Sequence, residues 1–206
     1  MRWPGLLLLV VTAGCSMGPP RVAPRIPSLP DAQREARYQK ALDRATDREQ
    51  IYDVFRTRAF LAATLQTEAF RVQRAEREAA FRSETRAELE TRLAKERAAA
   101  AEGWEWFVGV DVRNPEHQDL DRAGSTWRVA MITPAGTFLP SRIERVGRST
   151  EAIRTLYPYL DTFWVAYRVV FPRQVEGVEV VPEGTGEVVL ELAGVAGQAQ
   201  LRVPLE

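Results

Sequence analysis

The chain has little of the chemistry on which most enzymes and cofactor-binding proteins depend. Its 206 residues include one cysteine, Cys15, and one histidine, His117. No disulfide can form within the chain, so the fold must be held together by packing alone. A transition-metal site needs several converging ligands with soft donors, which this sequence does not offer. We therefore predict no metal site, no cofactor and no catalytic residue.

Sequence motifs of the common catalytic classes are also missing. There is no glycine-rich nucleotide-binding motif and no GxSxG element of a serine hydrolase. A catalytic triad would have to combine His117 with Ser125 or Ser149, and their spacing gives no support for one. Acidic side chains in the segment 114–121 could hold Ca²⁺, but without EF-hand spacing a hydrophilic loop is the simpler interpretation. An enzyme is the least favoured class.

An excess of charge of one sign is the third absence. The 28 Lys and Arg residues balance the 28 Asp and Glu residues, which gives a formal net charge of zero. Nucleic-acid-binding domains carry a basic excess on one face or along one helix. We therefore predict that the protein has no nucleic-acid partner.

The amino-terminal segment MRWPGLLLLVVTAGC combines a basic residue, a short apolar run and small residues before Cys15. The apolar run is too short to span about 30 Å of hydrocarbon, as a transmembrane helix must. The sequence Thr12-Ala13-Gly14-Cys15 resembles the lipobox of bacterial lipoproteins. This resemblance implies that residues 1–14 are a signal peptide and that Cys15 becomes the lipidated first residue. An ordinary signal peptide cut near Ala13 is the alternative.

The same resemblance predicts where the protein resides. Two or three acyl chains, such as palmitate, on one residue give stable anchoring without a transmembrane helix. Ser16, rather than Asp, follows the cysteine, which in the enteric sorting rule implies the outer membrane. Residues 16–30 contain five prolines and predict an extended tether over residues 15–30. A remnant with no spacing role is equally compatible with this composition.

Residues 31–102 contain no glycine and no proline and are rich in Ala, Arg, Glu and Leu. These residue types lose little side-chain entropy in a helix. We predict a long helical hairpin that turns near Thr67, with an intermolecular coiled coil as the alternative. Residues 51–65 carry a wide apolar band, including Phe55 and Phe60, which we expect to pack on the second half of the chain.

Residues 103–206 change to an alternating pattern. Trp104, Trp106, Val108, Val110 and Val112 alternate with more polar positions, as in a strand with one buried face. Similar alternation occurs at 127–131, 163–171, 188–192 and 199–203. We predict an antiparallel immunoglobulin-like β-sandwich here. The predicted fold class is therefore α+β, with the long helical hairpin preceding the sandwich.

Two aromatic residues lie on the opposite face of their predicted strands. Phe107 and Trp164 alternate with inward-facing neighbours, so they are either covered by the helices or exposed as contact residues. We favour coverage by the helices, and we retain both residues as candidate ligand or partner contacts. Most other aromatic residues are expected to be core.

The sequence as a whole is similar in organisation to predicted lipoproteins of GC-rich Gram-negative bacteria. We expect a non-enzymatic interaction or scaffolding unit of the cell envelope, held at the outer membrane through Cys15. Its expected partners are the membrane and either another envelope protein or cell-wall glycan. The alternative is a periplasmic ligand-binding module that presents sandwich aromatics to glycan or peptide.

Overall fold

A computed structural model of the chain describes residues 31–53 and 56–205. The predicted lipobox with Cys15 and the predicted tether lie outside these residues, as does Phe55 in the predicted apolar band. The helices are α1 (Ala32–Ala45), α2 (Glu68–Arg82), α3 (Arg86–Glu102) and α4 (Glu151–Leu156). The strands are β1 (Thr46–Asp53), β2 (Arg56–Leu65), β3 (Gly103–Val112), β4 (Trp127–Thr133), β5 (Gly136–Phe138), β6 (Arg142–Arg148), β7 (Val165–Pro172), β8 (Gln174–Val175), β9 (Val178–Glu179), β10 (Glu187–Gly194) and β11 (Gly197–Pro204).

Two antiparallel sheets form a sandwich. The first has the strand order β1-β2-β3-β7-β6 and the second the order β11-β10-β4-β5, while β8 and β9 form a separate two-stranded ribbon. The main core lies between the sheets, where Trp106 donates its indole N–H to the sulfur of Met131 at 3.5 Å. The edge strands β1 and β11 also meet, since the amide of Arg202 donates to the Asp47 carboxylate at 2.7 Å.

The predicted long helical hairpin is wrong, because residues 46–53 and 56–65 form strands. Thr46 pairs with Thr64 and Asp53 with Arg56 in a β-hairpin that supplies two of the five strands of the first sheet. In β2 the inward row, Ala59, Leu61, Ala63 and Leu65, is buried between the sheets. The sandwich is therefore not confined to residues 103–206, as the immunoglobulin-like prediction required.

The remaining helices are short and turn elsewhere than predicted. Thr67, the expected turn, instead caps the start of α2, where its side chain accepts a hydrogen bond from the Phe70 amide. The reversal between α2 and α3 occurs at Ser83, which adopts a left-handed conformation with φ 53°. Thr85 and Glu88 then form a capping box that starts α3.

Helices α1, α2 and α4 cover part of the outer face of the first sheet and enclose a second core. This core contains Tyr38, Leu42, Phe70, Tyr157 and Leu160, all nearly inaccessible to solvent. The predicted strands of the second half occur as β3, β4, β7, β10 and β11. One detail differs, because β7 begins at Val165 and leaves Phe163, predicted to face inward, 74% exposed.

A buried arginine joins the helices to the first sheet. Arg71 of α2 is only 2% exposed. Its guanidinium donates at 2.9 Å to the Gln66 carbonyl, to Glu96 of α3 and to Glu105 of β3. Because α3 has no buried residue of its own, charge-assisted contacts of this kind fix its position.

Alkaline pH is expected to destabilise the fold through its buried tyrosines. Burial raises the pKa of Tyr38, Tyr157 and Tyr159, and raises the pKa of Tyr167 to about 12. In the unfolded chain these phenols ionise near pH 10. The stability they contribute is therefore complete below about pH 10 and declines as the pH rises towards and beyond about 12. Tyrosinate absorbance should rise at a higher pH in the native protein than in urea, and coincident titration curves would contradict this expectation.

Candidate functional site

The two aromatic residues selected from the sequence lie in different environments. Phe107 is 7% exposed and stacks on Tyr157, with ring centroids 3.9 Å apart and an interplanar angle of 11°. Helices α1, α2 and α4 cover it, although the band at 51–65 from which we expected coverage is not helical. Phe107 therefore belongs to the second core and is not accessible to a ligand.

Trp164 lies over a glycine on the outer face of the first sheet. A Cβ atom at Gly109 would be 2.9 Å from Cε3 of Trp164 and 2.2 Å from Cδ2 of Leu160, which is closer than packed atoms approach. Glycine at this position therefore allows Trp164 to approach the sheet. Trp164 is partly exposed, and its ring lies 6.4 Å from that of Phe60.

We define the aromatic face as Tyr52, Phe60, Phe163 and Trp164. Tyr52 is 65% exposed, Phe60 37% and Phe163 74%. The Tyr52 hydroxyl donates to the side chain of Gln50, and Gln50 is the cross-strand partner of Phe60. Phe163 is the chain neighbour of Trp164. Exposed large aromatic side chains are typical of contact surfaces.

Two carboxylates accompany the aromatic face. Asp111 of β3 is the cross-strand partner of Phe60, and Asp161 lies three residues before Trp164. Burial, and to a lesser degree the nearby charge of Asp161, raises the pKa of Asp111. Rings beside hydrogen-bond acceptors can stack on a sugar and accept bonds from its hydroxyl groups, or can bind an aromatic or basic side chain.

A groove of about 570 Å³ lies at the opposite end of β3. It is formed by the end of α1, the start of α2, the first residues of β3 and residues 181–185. Its volume falls in the range of roughly 300–1,000 Å³ typical of ligand pockets. Its walls come from six separate stretches of the chain, since residues near 100, 173 and 204–205 also contribute, so no local pattern in the sequence indicated it.

Two side chains give the groove its chemistry. The guanidinium of Arg173 lies 4.1 Å from the ring centroid of Trp104 and donates a hydrogen bond to the Ala100 carbonyl. Burial lowers the pKa of Arg173, and the charge of Arg71 contributes in the same direction. The indole nitrogen of Trp104 is buried without a hydrogen-bond partner.

The residues considered for catalysis or cation binding have structural roles or remain apart. Asp119 is 4% exposed and accepts bonds from the Ser125 hydroxyl at 3.2 Å and the Thr126 amide at 2.9 Å. The backbone carbonyl of His117 accepts from the indole of Trp127 at 2.8 Å. Within residues 31–53 and 56–205, no group of three or more potential metal-binding side chains is present.

Comparisons with known proteins give no relative whose functional residues could be compared with those described above. No protein family, curated protein or solved structure matches the chain. In the part of the chain that the structure describes, none of the helices is both long and apolar enough to cross a bilayer.

Proposed function

We propose that this protein is a lipid-anchored component of the cell envelope that acts as a non-enzymatic interaction unit. The observation that carries this proposal is the aromatic face, where Tyr52, Phe60 and Phe163 are each more than a third exposed and Phe60 lies against Trp164. Burying such rings against a partner gains apolar contact area at low conformational-entropy cost, as at many binding hot spots. The lipobox and the proline-rich tether support placement at the membrane.

The anchor is tested by removing its acylation site. Cys15→Ala is expected to release the protein from membranes without unfolding it, because the tether separates the anchor from the sandwich. Membrane fractionation and metabolic labelling with a palmitate analogue measure this, with circular dichroism as the check on folding. Retention of the variant in the membrane fraction would contradict a lipid anchor at Cys15.

A second candidate function is favoured by the carboxylates beside the rings. In this alternative the protein is a periplasmic ligand-binding module, and the aromatic face binds glycan or peptide. Asp111 and Asp161 supply acceptors next to Phe60 and Trp164, an arrangement suited to hydroxyl-rich or basic ligands. A glycan array and crosslinking to neighbouring envelope proteins distinguish the alternative from the first proposal.

Removal of the exposed rings is expected to weaken partner or ligand binding. Phe163→Ala should cost about 1–2 kcal/mol of binding free energy, since a truncated hot-spot aromatic loses its contacts with the partner. Folding should be unaffected, because this side chain is 74% exposed. Leu139→Ala is the matched control, as Leu139 is 59% exposed outside the aromatic face. Equal binding by Phe163→Ala, Trp164→Ala and the control variant would show that the aromatic face is not the contact surface.

A further inference from the structure

The groove at the start of β3 has features of a binding site that the aromatic face does not share. Arg173 is partly buried there against Trp104. Among the described residues, its polar contact is the Ala100 carbonyl and no Asp or Glu forms an ion pair with it. Withdrawing a guanidinium from water without a carboxylate partner is costly, so a bound anion that pairs with Arg173 would be stabilised.

The neighbouring groups determine which anion fits. Trp104 lines the groove and carries the Arg173 guanidinium over its ring. Much of the remaining wall is apolar, from Phe70, Val181, Pro182 and Leu205. A ligand that fills this space therefore needs an apolar body as well as its charged group.

The rim of the groove disfavours highly charged ligands. Arg44, Glu68 and Glu183 line the groove and are exposed. Because these charges are of both signs, the rim offers no uniformly positive surface to a polyanion such as a nucleotide or a polyphosphate. A single carboxylate that reaches Arg173 forms one charge-assisted contact and carries little further charge past the rim.

We infer that the groove binds a monocarboxylate on an apolar body, with the carboxylate paired to Arg173 and the body lying against Trp104, Val181 and Leu205. The carboxylate could belong to a small aryl or acyl acid or to the carboxyl terminus of an apolar peptide. This inference is independent of the lipid anchor and of the aromatic face, which lies at the other end of β3.

The test is calorimetric titration of the full-length protein with acid and amide pairs. Phenylbutyrate and its amide represent the small-molecule source, and N-acetylated Leu-Phe with a free or amidated carboxyl terminus represents the peptide source. At least one acid is expected to bind about tenfold or more tightly than its amide, since loss of a charge-assisted contact changes affinity on that scale. Preference for one acid pair over the other identifies the source.

Variants then assign the preference to the groove. Arg173→Gln is expected to abolish the preference for the acid, and Trp104→Phe to weaken acid binding severalfold while retaining the ring. Arg145→Gln is the matched control, because Arg145 also lies over an aromatic ring, 5.8 Å from the centroid of Tyr167, and donates to the Gln118 carbonyl. It should bind both members of each pair as the unmodified protein does.

A salt titration of the unmodified protein keeps the inference testable if Arg173→Gln does not fold. Added salt is expected to weaken binding of the acid and to leave the amide unaffected, because only the acid forms an ion pair. The inference is overturned if neither acid binds saturably, if acid and amide bind equally, or if Arg173→Gln folds and keeps the preference for the acid.

Discussion

Arg71→Met is expected to lower the free energy of unfolding by about 3 kcal/mol. Removing one member of a buried ion pair typically costs about 3–5 kcal/mol, because the partner charges remain buried. Here the lower end of that range applies. Glu96 keeps a contact with Arg74 at 2.6 Å, and Glu105 keeps one with Arg168 at 2.9 Å.

The destabilisation caused by Arg71→Met should extend to α3. Arg71 is the residue through which α2 holds both α3 and the first sheet. We therefore expect faster amide exchange in α3, measured by hydrogen–deuterium exchange, in addition to the shift in urea denaturation.

Arg86→Met supplies the control for this prediction. Arg86 lies at the start of α3 and pairs with Glu90, but its side chain is 91% exposed. A solvent-exposed pair four residues apart contributes only about 0.3–0.5 kcal/mol. If Arg71→Met and Arg86→Met lowered stability by similar small amounts, the ion pairs of Arg71 would not be what holds α2 and α3 to the first sheet.

The strands of the second half could be predicted because each buries one face and leaves the other in a different environment. In β3 the row from Trp106 to Val112 lies in the main core, whereas Phe107 lies under the helices. The second row also contains Glu105, Gly109 and Asp111 and is therefore mixed in polarity, so the period of two is visible in the sequence. The same reasoning placed β4, β10 and β11.

The first hairpin could not be predicted from composition. The outward-facing residues of β2 include Ala62, which is as buried as the inward-facing residues. Short alanines on both faces are also good helix formers, so residue preference favoured a helix. The reversal between Asp53 and Arg56 contains neither glycine nor proline, which removed the usual signal for a turn. Tertiary pairing with β3 outweighed local preference.

The candidate site residues, too, could be predicted only where a local sequence pattern marks them. Trp164 was selected because alternation placed it outside the inward row, and it is partly exposed. The pairing of Arg173 with Trp104 could not be selected in this way, because the two residues are 69 positions apart in the sequence and meet only through the antiparallel pairing of β3 with β7. Contacts between residues so far apart in the sequence produce no periodic pattern from which they could be predicted.

Leu61→Ala is expected to destabilise the protein by about 2–5 kcal/mol, the cost of a cavity in a closed core. Leu61 is 1% exposed between the two sheets. Its neighbour Phe60 lies on the other face of β2 and is 37% exposed. Phe60→Ala should therefore cost only about 1 kcal/mol, although it removes the larger side chain.

The comparison of these two variants tests the strand assignment of residues 56–65. In the helical interpretation, Phe60 and Leu61 share one apolar band, and their truncation would have similar effects. In the strand they lie on opposite faces, so truncation of the smaller residue, Leu61, should cause the larger loss of stability. Urea unfolding followed by tryptophan fluorescence and by far-ultraviolet circular dichroism should give coincident transitions for Leu61→Ala, because β2 is part of the sheet that carries the helices. A larger loss of stability for Phe60→Ala would contradict the strand assignment. Separate unfolding transitions for the helices and the sheets would contradict their unfolding as one unit.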